Sequence, residues 1–362
     1  MFKKVVAVVI CFCMLFCLAA CNSGEKTLSD GGEYTQISSK AESAALIVNP
    51  LTGIKDLSAS AANNRPVAVM VNNVKPAWDV QKGLTQADIV YETYVEGGIT
   101  RLMAVYKDIS KAGNIGTVRS ARYAYVDLAA GHDAIYVHCG LDPNYCKPHI
   151  AEIKMDDFDI NTGSDAKYGF RVKNGKSSEH TMYTSGAKLA EGIKKLKYDN
   201  ETSVGWAKFA AEGTSVAMSD ACDKLTVPMA DSTYVSTFTY DAATGKYLKT
   251  QGGASHKDYG TNEQIAVKNV LVLFTDVSNY VISKYAKIDL TGGKGYYISN
   301  GQYKEINWKK GNTASNQMTF TNTDGTELEL NAGNSWIFIA KNSLKSKVKI
   351  EAVAPAISSV AQ

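Results

Sequence analysis

Charge imbalance is what this chain lacks most. Its 39 basic residues stand against 36 acidic ones, and no long lysine or arginine cluster breaks the balance. Proteins that hold nucleic acid carry a basic footprint, so no nucleic-acid partner is expected. Cysteine is too thin to build a scaffold. Of seven, three fall in the first seventeen residues and a fourth is Cys21, leaving Cys139, Cys146 and Cys222. Three thiols cannot all pair, and a chain this long buries a core without staples. One optional Cys139–Cys146 bridge is the most they permit. Catalytic signatures are missing too. No G-x-S-x-G elbow is present, and Gly292-Gly293-Lys294-Gly295 lacks the strand–loop–helix setting of a phosphate loop. No cofactor is expected, and no heptad marks an oligomer.

What is present begins with an address. Lys3 and Lys4 precede Val5–Ala20, a run of sixteen almost wholly apolar residues, and no acid occurs before Glu25. A bilayer span needs about 20 such residues, so the run suits a signal-peptide core at 1–20. It ends in Leu18-Ala19-Ala20-Cys21, and the chain then turns polar. This tetrad resembles the lipobox of bacterial lipoproteins. The resemblance implies cleavage before Cys21, a diacylglyceryl group on its sulfur and a further acyl chain such as palmitate on the new amino terminus. Two or more chains anchor stably where one does not. Membrane lipid is therefore the expected partner of Cys21, on the outer face of the cytoplasmic membrane. Loss of the leader leaves 37 basic against 36 acidic residues, a net charge of +1. Residues 21–48 read as the lipidated cysteine and a Ser-, Gly-, Glu- and Lys-rich tether with too little apolar surface to fold. Its 27 residues after Cys21 give a root-mean-square reach of about 30 Å.

Beyond the tether the pattern predicts a mixed α/β, or α+β, protein in two parts. Over 49–212 strands and helices alternate. Pro66–Asn72 is a short continuous apolar run, as a buried strand should be. Asp88–Val95 and Thr100–Tyr106 flank Gly97-Gly98 as a hairpin. Ser120–Ala130 has helical spacing with Gly131 as its stop, Asp133–Cys139 is a further strand, and helices are expected near 144–154 and over 185–196. Leu84–Ala87 suggests a short helix. Over 213–345 alternating runs are separated by turns, including Gly292-Gly293, Asn300-Gly301 and Asp324-Gly325, which predicts mainly antiparallel β. Residues 346–362 form a tail.

Several segments together are similar to the YerB-like family of lipoproteins. They are Asn64–Met70, Gln86–Glu92, Glu96–Arg101, Val118–Arg122 and Asp133–His138, then Tyr240-Asp241, Gly245–Tyr247, His256–Asp258, Lys268–Val270, Trp308–Lys310 and Gly333–Trp336. The resemblance runs in order over about 49–340. It implies an α/β amino-terminal half and a β-rich carboxy-terminal half on a lipid anchor, and supplies no biochemical role. Three places depart from the family's pattern. Asn72-Asn73 stands for Asp-Asn, Cys139–Pro143 for small residues and Ser-Pro, and Glu179-His180-Thr181 for Pro-His-Asn.

Candidate chemistry centres on arginine. Arg119 and Arg122 are three apart, sharing a face if both are helical, and Arg119 would then lie in a first turn that favours anions. With Arg101 they form a candidate anion site with Ser120 between them. Glu92 and Glu96 are the nearby acids, able to pair those guanidinium groups. The alternative is a partly buried Arg–Glu network that holds helix to sheet. His138, Cys139, Cys146 and His149 fall close together, but His138 and Cys139 point to opposite faces of a strand, so no metal is expected. Ser120 with His132 or His138 lacks an orienting acid. His256 and Asp258 share a face in an extended stretch, as a surface hydrogen-bonded pair. Two classes of function follow: a non-enzymatic envelope protein that binds a partner or regulates near cell-wall synthesis, and an enzyme or binding protein acting on a phosphate-bearing envelope precursor.

Overall fold

The computed structural model describes residues 45–198, 205–230, 233–281 and 284–352. Cys21 and most of the tether lie outside the described residues. The apolar run after Pro66 becomes the strand Val67–Asn72, buried along its whole length. Val67, Val69 and Val71 enter one core while Ala68 and Met70 enter another. Successive side chains alternate across a strand, so burial on both faces requires an unbroken apolar run.

Three further strands extend its sheet. Thr100–Tyr106 pairs antiparallel and Ile135–His138 parallel. Ile89–Tyr94 returns against Thr100–Tyr106 around Glu96-Gly97-Gly98, where φ is 66° and 73° at the glycines. That left-handed backbone favours residues without a Cβ. The short turn at Leu84–Gln86 and the helices Cys146–Ile153 and Gly186–Leu196 form where spacing predicted. Ser185 caps the last, its hydroxyl accepting from Lys188 N–H.

One helix differs from expectation. It begins at Tyr123, not Ser120, and ends at Gly131. The preceding backbone is already committed to strand ends. Arg119 N–H donates to Met70 O (3.1 Å), Cys139 N–H donates to Arg119 O (3.0 Å), and Ala121 N–H donates to Gly140 O (3.0 Å). Arg119 and Arg122 therefore do not share a helical face.

In the carboxy-terminal half, Gly292–Ser299 and Gln302–Lys309 form a hairpin through Asn300-Gly301, whose φ values are 52° and 73°. Such a primed turn matches strand twist. Gly292-Gly293, expected as a turn, instead opens a strand. A Cβ on Gly293 would come within 2.4 Å of Phe274 O, so the glycine marks close backbone approach. Asn269–Thr275 pairs antiparallel with Gly292–Ser299 but parallel with Ser335–Lys341. Ser335–Lys341 in turn pairs parallel with Ile89–Tyr94. One eleven-stranded sheet thus carries strands from both halves.

A six-stranded sheet includes Lys224–Pro228, Val235–Asp241 and Lys246–Gln251, and Lys349–Glu351 pairs along its edge. Leu225, Val227 and Phe238 from it share a core with Val90, Trp336 and Phe338 of the large sheet. The fold is mainly β with several sheets, and among the described residues every helix of eight or more residues precedes residue 200.

Candidate functional site

Arg101 leaves the strand Thr100–Tyr106 fully buried. Its Nη1 donates to Ser120 O (2.6 Å) and its Nη2 to Glu96 Oε1 (3.1 Å). Arg122 grips the same carboxylate with both arms, Nε to Oε2 at 2.7 Å and Nη2 to Oε1 at 2.6 Å. Its guanidinium also lies 4.6 Å from the Tyr285 ring centroid. Burial pushes Glu96 toward its neutral acid. The Arg122 hydrogen bonds and the charges of Arg101 and Arg122 outweigh it, holding Glu96 at about 2. Burial, then repulsion from Arg122, pulls Arg101 down to about 10. Two of the three candidate arginines thus converge on an acid of their own chain.

Arg119 turns elsewhere. Its Nη2 lies 3.4 Å from Glu179 Oε2, and it lines a polar cleft of about 330 Å³ with Ser120, Cys139, Asn161, Arg171 and Glu179. Arg171 Nη1 donates to Ser178 O (2.6 Å) and Thr181 Oγ1 (3.1 Å), and Arg119 Nε is buried without a partner. Ser120 Oγ donates to Cys139 O (3.0 Å). Neither His132 nor His138 holds it. His132 Nε2 bonds Tyr91 OH (2.8 Å), and His138 Nε2 bonds Asp157 Oδ2 (2.9 Å). His149 bonds Asp127 Oδ1 (2.6 Å). Cys139, Cys146 and Cys222 are free thiols.

Glu92 lies away from these arginines, on the face of its strand that meets the second sheet. Its Oε1 accepts from Asn73 Nδ2 (3.1 Å) and Thr100 Oγ1 (2.9 Å), and its Oε2 from Trp336 Nε1 (3.2 Å). Facing it, Lys249 is fully buried, 4.7 Å from the Trp336 ring centroid. Its ammonium donates to Gln251 Oε1 (2.5 Å) and His256 Nδ1 (2.9 Å), and His256 Nε2 donates to Gln81 Oε1 (2.6 Å). Burial, partly offset by Glu92, pulls Lys249 down to about 7. Burial, then the Lys249 charge, drives His256 well below its ordinary value, while burial raises Glu92 against the pull of Lys249. His256 and Asp258 are not a surface pair. Both are buried, and Asp258 Oδ2 accepts from Thr85 N–H and Oγ1 (both 3.0 Å). Their hairpin is clasped by the amino-terminal half, which is why neither meets solvent.

Comparison with known proteins gives this architecture a family. Residues 51–199 match the N-terminal domain, and residues 225–337 the C-terminal domain, of a protein family of unknown function, DUF3048. YerB of Bacillus subtilis (strain 168), provisionally named a lipoprotein, is 28% identical over 301 residues, covering 82% of this chain and 87% of its own. The chain belongs to this YerB-like family. The crystal structure of the Bacillus subtilis YerB protein matches with a TM-score of 0.72 and 27% identity, covering 84% of this chain and 100% of that one.

Two of the departures from the family pattern meet in space. Asn72 Nδ2 and His180 Nδ1 are 2.8 Å apart, where the resemblance places an aspartate. A carboxylate reaches the other side of the ring instead, with Glu179 Oε1 3.3 Å from His180 Nε2. Lys249, Gln81, Gln251 and Arg171 escaped the sequence reading. Only Lys249 left a signal: it sits between Tyr247 and Gln251 at the inward positions of its strand, where a lysine is out of place.

Proposed function

We propose that this protein is a lipid-anchored binding protein on the outer face of the cytoplasmic membrane, and that its ligand is a phosphate- or carboxylate-bearing envelope precursor held by Arg119 and Arg171. The single observation behind the ligand is the polar cleft that these two arginines share with Ser120 and Asn161. Guanidinium forks suit such anions in geometry and charge. Arg101 and Arg122 serve the site at one remove: by holding Glu96 they fix the backbone of Ser120 and Ala121 through Arg101 Nη1–Ser120 O and Arg122 Nη1–Ala121 O. Anchoring rests on the lipobox-like tetrad ending in Cys21 and on the relative's name. Among the described residues no helix is long and apolar enough to cross a membrane. A non-catalytic role fits Ser120, whose hydroxyl is spent on a carbonyl and not poised against an imidazole.

Two measurements test this reading. Mass spectrometry of the membrane-extracted chain should find Cys21 as its first residue with a diacylglyceryl group on the sulfur, and an unmodified Cys21 there would end the lipid-anchor reading. A thermal-shift series with undecaprenyl phosphate, muropeptides and teichoic-acid fragments should raise the melting temperature of the wild-type chain but not of Arg119→Ala/Arg171→Ala. Equal shifts in both proteins would remove the cleft from consideration.

A further inference from the structure

A second, larger cleft of about 740 Å³ has the opposite chemistry. Its walls carry Tyr123, Tyr145 and Tyr280 with Asp127, Asp276 and Asp289, and its volume falls in the range of roughly 300–1,000 Å³ common to small-molecule sites. Tyr145 and Tyr280 stack at 4.0 Å between centroids and 28° between planes. Tyr123 stacks on His149 at 4.1 Å and stands 6.0 Å from Tyr280 at 54°. Asp127 fixes that imidazole through its Nε2. The rings therefore form a braced, half-exposed platform and not a mobile fringe.

We infer that the Tyr123–Tyr145–Tyr280 cleft binds an uncharged or amino-bearing saccharide. A pyranose presents an apolar C–H face that lies on an aromatic ring, and a hydroxyl rim that needs acceptors and donors beside it. The platform supplies the first, and the aspartates with Asn312 supply the second. Other ligand classes fit less well. Three carboxylates against the single cation Lys287 in the lining repel polyanions. This cleft is independent of the Arg119–Arg171 cleft and needs no anion. The two nevertheless share one stretch of chain, with Ser120 lining one and Tyr123 the other.

The test is calorimetric titration of the full chain, in a sugar-free detergent, with chitohexaose and cellohexaose. Saturable binding of either is expected, weakened at least tenfold by Tyr280→Ala, retained by Tyr280→Phe and unchanged by Arg119→Ala. Both Tyr280 variants should melt with the wild type, because the ring is half-exposed near a hairpin tip. Absence of binding to both sugars, binding indifferent to Tyr280→Ala, or displacement of the sugar by tetramethylammonium or polyphosphate would overturn the assignment.

Discussion

Trp336 donates its indole N–H to Glu92 across 3.2 Å, joining residues 244 positions apart in the chain. Their strands lie side by side in parallel, with Trp336 opposite Val90. The bond therefore sits on the seam between the two halves, beside Lys249. A carboxylate buried there survives because Asn73, Thr100 and Trp336 all donate to it and a buried ammonium faces it.

Removing both partners of this pair should cost less than the two single removals added together. Lys249→Met leaves Glu92 buried without its counter-charge and is expected to destabilise by about 3–5 kcal/mol. Lys249→Met/Glu92→Gln should be less destabilised than the sum of the single changes. Urea unfolding of the four proteins measures this, and strict additivity would show that the two groups do not interact. In the folded protein burial holds Lys249 at about 7, below its ordinary value of 10.5. The unfolded chain thus binds the extra proton between those values, so wild-type stability should climb from pH 7 toward 10.5, and Lys249→Met should lack that climb.

Glu96 and Arg119 should separate structural from functional arginine. Glu96→Ala strands the buried Arg101 and is expected to lose about 3 kcal/mol, at the low end for a broken buried pair because Glu96 keeps partial exposure. Arg119→Ala breaks an exposed pair with Glu179 and should lose no more than about 1 kcal/mol. Thermal melts decide it. A large loss for Arg119→Ala would make that residue structural too.

Acid should weaken the protein in two stages. Burial, aided by Lys310, holds His132 at about 4 against an ordinary value of 6.5. The native state then binds fewer protons in that window, and stability falls as pH drops from 6.5 to 4. His256 adds to this stage, being lowered in the same sense. Glu96, held near 2 against 4.5, contributes stability that is full above 4.5 and lost as pH falls to 2. His132→Phe should gain on the wild type as pH falls through the first window. A gap between their melting temperatures that stays constant from pH 7 to 4 would contradict it.

Trp336 should be among the most sensitive single positions. It is fully buried, packs against Phe238 and Phe338, and bonds Glu92. Trp336→Ala is expected to cost at least about 3–5 kcal/mol, and hydrogen exchange should then accelerate in Ile89–Tyr94 as well as in its own strand. Acceleration confined to residues after 213 would show that the halves unfold separately.

Local pattern made much of this fold legible. The unbroken apolar run at 67–72, the glycine pair at 97–98 and the Asn300-Gly301 turn each act within a few residues, and each element formed where the pattern put it. What escaped depends on partners distant in sequence. The helix starts late because Arg119 and Ala121 spend their backbone groups on Met70, Cys139 and Gly140. Glu92 looked like a companion of the arginines, yet strand alternation points it at Lys249 of another sheet. Arg171 entered the cleft through a short strand beside Met182–Ser185, with no motif to announce it.

The shared sheet also sets an order on the protein's birth. Ile89–Tyr94 gains its hairpin partner within a dozen residues, but its other edge waits for Ser335–Lys341. An uncovered, apolar strand edge is a template for mispairing between nascent chains. Yield in the cell should therefore depend on what shields this strand before the last thirty residues emerge, as much as on the stability of the finished molecule.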